Sequence, residues 1–327
     1  MQLLTRYLRL FYDSRRSPAG AFGACYFAGV IVPAPAGART IAGLVAALIA
    51  ACGAASCTAP ADATLQRLVD ATTLAADLHL QFTKAGDASN RAVMADTDET
   101  SVAFAREAAQ ATQAVQKDSG ALRPLLTALR FSNELRLLDG FDMRFADYLA
   151  LDRSVLDLAV ENTNLKAQRL SFGPAREAAD AFRNSLDALA PARQADMWRV
   201  KALAATATSA VREIQALQAP HIAEPDDAAM MSIEGRMTAA AGVARDQLKT
   251  LAGLAAPASR TKLAAASASL ERFVDLNTQV VALSRRNTNV RSLALSLGQK
   301  RMLAAACEDS LRALQDALSK RGFSATR

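Results

Sequence analysis

The chain has 327 residues, 51% of them hydrophobic, 21% charged and 5% aromatic, which is enough apolar material for a sizeable core and excludes a wholly disordered or collagen-like polymer. Ten prolines and fifteen glycines are few for this length, and alanine is the main filler, a balance that suits long helices. The formal charge of +6 is concentrated upstream: five arginines and one acid, Asp13, precede Cys52, so the remainder is close to +2 with both signs mixed, and nucleic-acid binding is not expected.

Residues 1–51 read as a leader or anchor. The apolar run from Ile41 to Ala51 follows Arg39 and ends at Cys52. Ile49-Ala50-Ala51-Cys52 resembles the lipobox of bacterial lipoproteins, which implies lipidation of Cys52 and an address on the periplasmic side of the cell envelope. An uncleaved anchor or a buried apolar helix would account for the same run. The upstream 38 residues are longer than a signal peptide needs, and a start near Val30 or Val32 would remove them. Residues 52–61, small and polar, read as a tether.

From Asp62 onward the pattern is helical. A first helix spans about 62–94, and Asp96 with Glu99 suggests the capping box of a second, which reaches about Asp118 and ends at Ser119-Gly120. A third helix is expected from Leu122 to Leu170, with Ser171-Phe172-Gly173-Pro174 ending it and starting a fourth. Ala188-Leu189-Ala190-Pro191 interrupts, and further helices follow over 192–219, 226–254, 258–294 and 299–320.

An internal repeat organises these elements. Asn162-Thr163-Asn164-Leu165-Lys166 matches Asn287-Thr288-Asn289-Val290-Arg291 at an offset of 125 residues. At the same offset, Leu170-Ser171-Phe172-Gly173 matches Leu295-Ser296-Leu297-Gly298, Arg176 matches Arg301 and Ser185-Leu186 matches Ser310-Leu311. The stripes Leu151, Val155, Leu158, Asn162, Leu165 and Leu276, Val280, Leu283, Asn287, Val290 follow bundle-core spacing and place both asparagines on apolar faces. The expected fold is all-α, two tandem antiparallel four-helix bundles over 62–190 and 191–321, with a tail at 322–327.

The segments Val93 to Glu107, Phe145-Ala146-Asp147-Tyr148 and Asn162 to Leu189 together resemble the four-helix-bundle ligand-binding region of bacterial methyl-accepting chemotaxis receptors. Leu297 to Leu303 is similar to nitrate-sensor and pilus-chemotaxis transducer regions. The resemblance implies an extracytoplasmic sensory module. The second membrane helix and cytoplasmic coiled coil of such receptors find no counterpart in this sequence, so signalling is expected to pass through a membrane partner, or the chain is a degenerate or split receptor.

Enzyme signatures are missing: no phosphate-cradling glycine loop, no His-Glu-x-x-His, no nucleophile elbow and no Cys-x-x-Cys-His. No cofactor or metal is expected. Of the two histidines, His79 reads as a half-buried or surface imidazole, and His221 as a loop residue whose neighbours Glu224, Asp226 and Asp227 are those of a helix start. Cys307 reads as a small core residue, Trp198 as packing near the junction of the bundles, and Asp147 and Asp152 as solvated surface. Asn162 and Asn287 either fix helix register or, with Arg176 and Arg301, contact a small organic acid or amino-acid-like ligand. A scaffold that docks other helices is the competing reading, and self-association is compatible with either.

Overall fold

The computed structural model describes residues 59–325, and the chain there is all-α, without a strand among the described residues. The helices are α1 (Ala59–Val93), α2 (Asp98–Ala128), α3 (Ser132–Glu161), α4 (Thr163–Leu170), α5 (Arg176–Asp187), α6 (Met197–Ala223), α7 (Asp227–Leu254), α8 (Arg260–Arg286), α9 (Thr288–Leu295) and α10 (Arg301–Ala325). Single residues, Asn162 and Asn287, separate α3 from α4 and α8 from α9; π turns at Ser171–Ala175 and Ser296–Lys300 join α4 to α5 and α9 to α10. The leader, most of the tether and Cys52 lie outside the described residues. Among the described residues, no helix is long and apolar enough to cross a membrane.

Several boundaries move for identifiable reasons. The N-cap of α2 is Thr97, whose hydroxyl accepts the Thr100 N–H at 3.1 Å, one residue beyond the expected Asp96. Ser119-Gly120 is no turn: α2 runs through it and through Pro124, because Val115, Leu122 and Leu126 share one buried face and a break would expose part of it. The reversal comes at Leu129–Phe131, where Arg130 adopts φ 57°. Ser171-Phe172-Gly173-Pro174 likewise does not end a helix. The wider π turn carries the chain through Pro174 without the bond that an α-helix would require of its missing N–H.

The helices build two apolar cores. One gathers Leu78 and Phe82 of α1, Val115 and Leu122 of α2, Phe141, Phe145 and Tyr148 of α3, and Cys307, Leu311 and Leu314 of α10. Its aromatic rings meet edge-on or stacked, with Phe82 and Tyr148 centroids 5.1 Å apart. The other gathers Phe182 and Leu186 of α5, Val211 and Ile214 of α6, Leu248 and Leu251 of α7, and Leu270 and Phe273 of α8. Each core therefore has four helices, consecutive in the second (α5–α8) but not in the first (α1–α3 with α10). The blocks 62–190 and 191–321 exchange their last members: α5 packs with α6–α8, and α10 packs with α1–α3.

The exchange follows from the connections. One residue between α3 and α4 cannot form a hairpin, so the chain passes onward from the first core into the second, and α8 to α10 returns the same way. The line from Ser132 to Asp187 contains on the order of 80 Å of helix. The α1–α2 and α6–α7 tips both point to the crossing, while the start of α1 and the end of α10 share the opposite end of the first core, where Leu65, Leu68 and Ser319 line one groove. Trp198 sits in the first turn of α6 and is 72% exposed, so it is not the packing residue expected near the junction.

Candidate functional site

Where the two helical lines cross, the repeated Asn-Thr-Asn segments face each other about a pseudo-two-fold axis. Asn162 and Asn287 are not core positions of continuous helices. They take the left-handed conformation at φ 50° and φ 52°, which asparagine tolerates better than most residues, and so kink each line at the same place. Side-chain capping goes with an extended N-cap backbone, and neither left-handed asparagine caps the first amides of the helix that follows it.

The other repeat supplies the caps instead. The Thr163 N–H donates to Thr288 Oγ1 at 3.1 Å, and the Thr288 N–H to Thr163 Oγ1 at 3.2 Å. The Asn164 N–H donates to Asn289 Oδ1 and the Asn289 N–H to Asn164 Oδ1, both at 3.1 Å. Asn164 Nδ2 donates to Asn287 Oδ1, and Asn289 Nδ2 to Asn162 Oδ1, each at 2.8 Å. Each helix start is thus capped by side chains of its symmetry mate, and the two lines hold each other in the kinked state.

The node also grips the hairpin tip beside it. Asn164 Nδ2 donates to the Ile222 carbonyl at 2.6 Å and Asn287 Nδ2 to the Glu224 carbonyl at 2.8 Å, tying down the α6–α7 turn. At the α1–α2 tip, Arg169 reaches the Asp96 carbonyl and the Asp98 carboxylate. Symmetry stops at Asn162: its buried Nδ2 has no hydrogen-bond partner. Apolar pads flank the node on both sides, Val93, Val155 and Ala159 on one, Ala167, Ile222 and Val280 on the other.

Beside the node the cores differ in polarity. Asp152, expected on the surface, is 1% exposed in the first core, because α10 and its π turn cover it. Lys300 pairs with it at 2.7 Å, and Ser89 donates to it at 2.6 Å and also receives a hydrogen bond from Lys300. The Tyr148 hydroxyl is buried nearby without a partner, and burial, with Asp152 adding to it, pushes its phenol well above the usual tyrosine range. At the 125-residue offset Asp152 and Lys300 become Asn277 and Ala175, and the second core holds a neutral chain from Ser171 through Gln218 to Asn277 at 2.7 and 2.8 Å.

His221 lies in the last turn of α6, not in a loop, and is buried. Its Nδ1 is 2.8 Å from the Ser284 hydroxyl, and its Nε2 donates to Glu234 at 2.8 Å, the carboxylate being an acceptor only. Arg285 grips the same carboxylate through two nitrogens. The Arg285 guanidinium foremost, and the His221 hydrogen bond with it, hold Glu234 below the usual carboxylate range against its partial burial. A depressed folded value stabilises the fold above the unfolded value, near 4.3, and the contribution is lost as pH falls through the folded value. Glu234→Gln is therefore expected to lower the melting temperature at neutral pH, by a margin that shrinks as pH falls below the unfolded value toward the folded one, as read by thermal melts of both proteins across the acid range. His79 is half-buried and meets Gln315 at 3.1 Å.

Arg176 and Arg301 do not join the asparagines. The Arg176 side chain is 70% exposed and pairs loosely with Asp180 one turn on, and Arg301 is exposed at the start of α10. No group of three or more His, Cys, Asp or Glu side chains among the described residues is arranged to hold a metal ion. Cys307 is a buried core residue, as its sequence context suggests, and burial pushes its thiol up to about 12. Thiol reagents at neutral pH are expected to leave Cys307 unlabelled in the folded protein and to label it on unfolding, which peptide mass mapping reads directly.

The sequence pattern marked both asparagines but gave them the wrong local geometry, and it missed Thr163, Asn164, Thr288, Asn289, Asp152 and Lys300 as interacting groups. Exact duplication of a poor helix-forming triplet was the available signal for the first four. For the ion pair there was none, since its partners lie 148 residues apart and only the exchange brings them together. No family model, curated protein or solved structure matches the chain.

Proposed function

We propose that this is a non-enzymatic sensory or ligand-binding protein of the cell envelope that reports through a membrane partner. The observation that carries this reading is the node. Two helical lines pass through it from one core to the other, so a change of packing in the second core bears on the start of α1 and the end of α10 at the far end of the first. A ligand would act by preferring one arrangement of these lines over another. The similarity of Val93 to Glu107 and Asn162 to Leu189 to chemotaxis-receptor sensor bundles agrees with such a role. A small organic acid or amino-acid-like molecule remains the ligand class, with Arg176 or Arg301 as its carboxylate partner.

A thermal-shift panel of organic acids, amino acids and aromatic carboxylates on the full chain tests the reading. The expected result is a rise with one chemical class that is lost in Arg176→Ala or Arg301→Ala. No rise with any class overturns the sensor reading. It would then leave a helical scaffold, which the exposed Phe172, Leu297 and Met302 around the two π turns also support.

A further inference from the structure

The node poses a problem of self-recognition. Its Asn-Thr-Asn caps are identical in the two repeats, so the first half, α1–α5, could pair through them with the first half of a second copy, and the second half, α6–α10, likewise. Nothing in the caps themselves prefers one half for the other.

The charges do. Three ion pairs join the two halves among the described residues: Glu161 to Arg286 at 2.7 Å, Asp152 to Lys300 at 2.7 Å and Glu134 to Arg321 at 2.9 Å. In all three the acid belongs to the first half and the base to the second. Glu161 and Arg286 are themselves equivalent positions, 125 residues apart, facing each other across the axis. Pairing like with like would set Glu161 against Glu161 of the second copy, and Arg286 against Arg286. It would also bury Asp152 beside Ala175 and Lys300 beside Asn277, each without its counter-charge, and Glu134 is as deeply buried as Asp152. A buried charge stripped of its partner is strongly destabilising, and like charges across a symmetric seam set partner choice in helical assemblies.

We infer that these three pairs form an acid-half, base-half code that makes each half of the chain select the other and reject the same half of a second copy. The inference is independent of any ligand. It assigns to the seams of α3 with α10 and of Glu161 with Arg286 the task of excluding a dimer that the repeat would otherwise permit.

The test is refolding from denaturant over about a hundredfold range of protein concentration, followed by sedimentation. The full chain is compared with a neutral-seam variant carrying Glu134→Gln, Asp152→Asn, Glu161→Gln, Arg286→Gln, Lys300→Met and Arg321→Gln. The neutral variant is expected to give a concentration-dependent dimer beyond anything the wild type forms under the same conditions. A second variant, Ala175→Lys with Lys300→Ala, moves the base into the first half, so that Asp152 finds its counter-charge only on another copy; it is expected to shift further toward dimer. Should the second variant not refold, the first decides. Refolding of the neutral variant to the wild-type distribution at every concentration would overturn the inference.

Discussion

Asp152→Asn is expected to cost about 3–5 kcal/mol in urea unfolding, because it leaves the Lys300 ammonium buried, 3% exposed, with a neutral amide, the Ser89 hydroxyl and the Tyr148 ring beside it but no counter-charge. Lys300→Met should cost a similar amount by stranding the carboxylate. The double substitution Asp152→Leu with Lys300→Met should recover most of the loss, since well-packed apolar groups replace both charges and no unpaired ion remains. At the equivalent place in the second core, Asn277→Ala breaks only the neutral link to Gln218 and should cost about 1 kcal/mol. If the two single substitutions at Asp152 and Asn277 cost the same, the polar contrast between the cores has no energetic meaning.

The node gives the second large effect. Asn164→Ala removes a side chain that donates to Ile222 and Asn287 and accepts from Asn289, leaving two buried groups and one half-buried group without that partner, and should cost about 3 kcal/mol. Asn287→Leu should be as damaging, because a branched side chain at φ 52° adds about 1–2 kcal/mol of backbone strain to the lost bonds. Asn287→Gly keeps the backbone free of that strain and should be the milder of the two. A register role for Asn287 in a continuous apolar stripe predicts the opposite: replacement by leucine would raise stability. Denaturant midpoints of the two variants separate these accounts.

The all-α class and most helix spans were legible because alanine-rich 3.6-residue periodicity needs no tertiary information. Leu151 and Val155 do pack in one apolar pad, in the copy Val280 packs in the other and Leu276 against the second core, and the 125-residue repeat maps onto the pseudo-two-fold. What the pattern could not convey was which helix packs with which. Ala175 to Leu189 has the same apolar face whether it turns back onto α3 or continues to α8, and a one-residue left-handed kink leaves almost no periodic trace. Asp152 looked exposed for the same reason: its cover, Lys300 and the π turn, arrives from the far end of the chain. The continuation of α2 through Gly120 and Pro124 shows the same priority, with burial of one continuous face outweighing two local helix breakers.

The exchange of helices between the cores is the claim on which the rest depends, and one distance tests it. Spin labels at Met143, exposed on α3, and Asn184, exposed on α5, stand on opposite sides of the node. Each is roughly twenty residues from Asn162, about 30 Å of helix on either side. Pulsed electron-paramagnetic distance measurement on the full chain, with Cys25, Cys52 and Cys57 replaced by serine and Cys307 left in its core, should give a separation on the order of 40–60 Å. A separation under about 20 Å would put α5 back beside α3 in a self-contained bundle and contradict the exchange, the node and the code built on them.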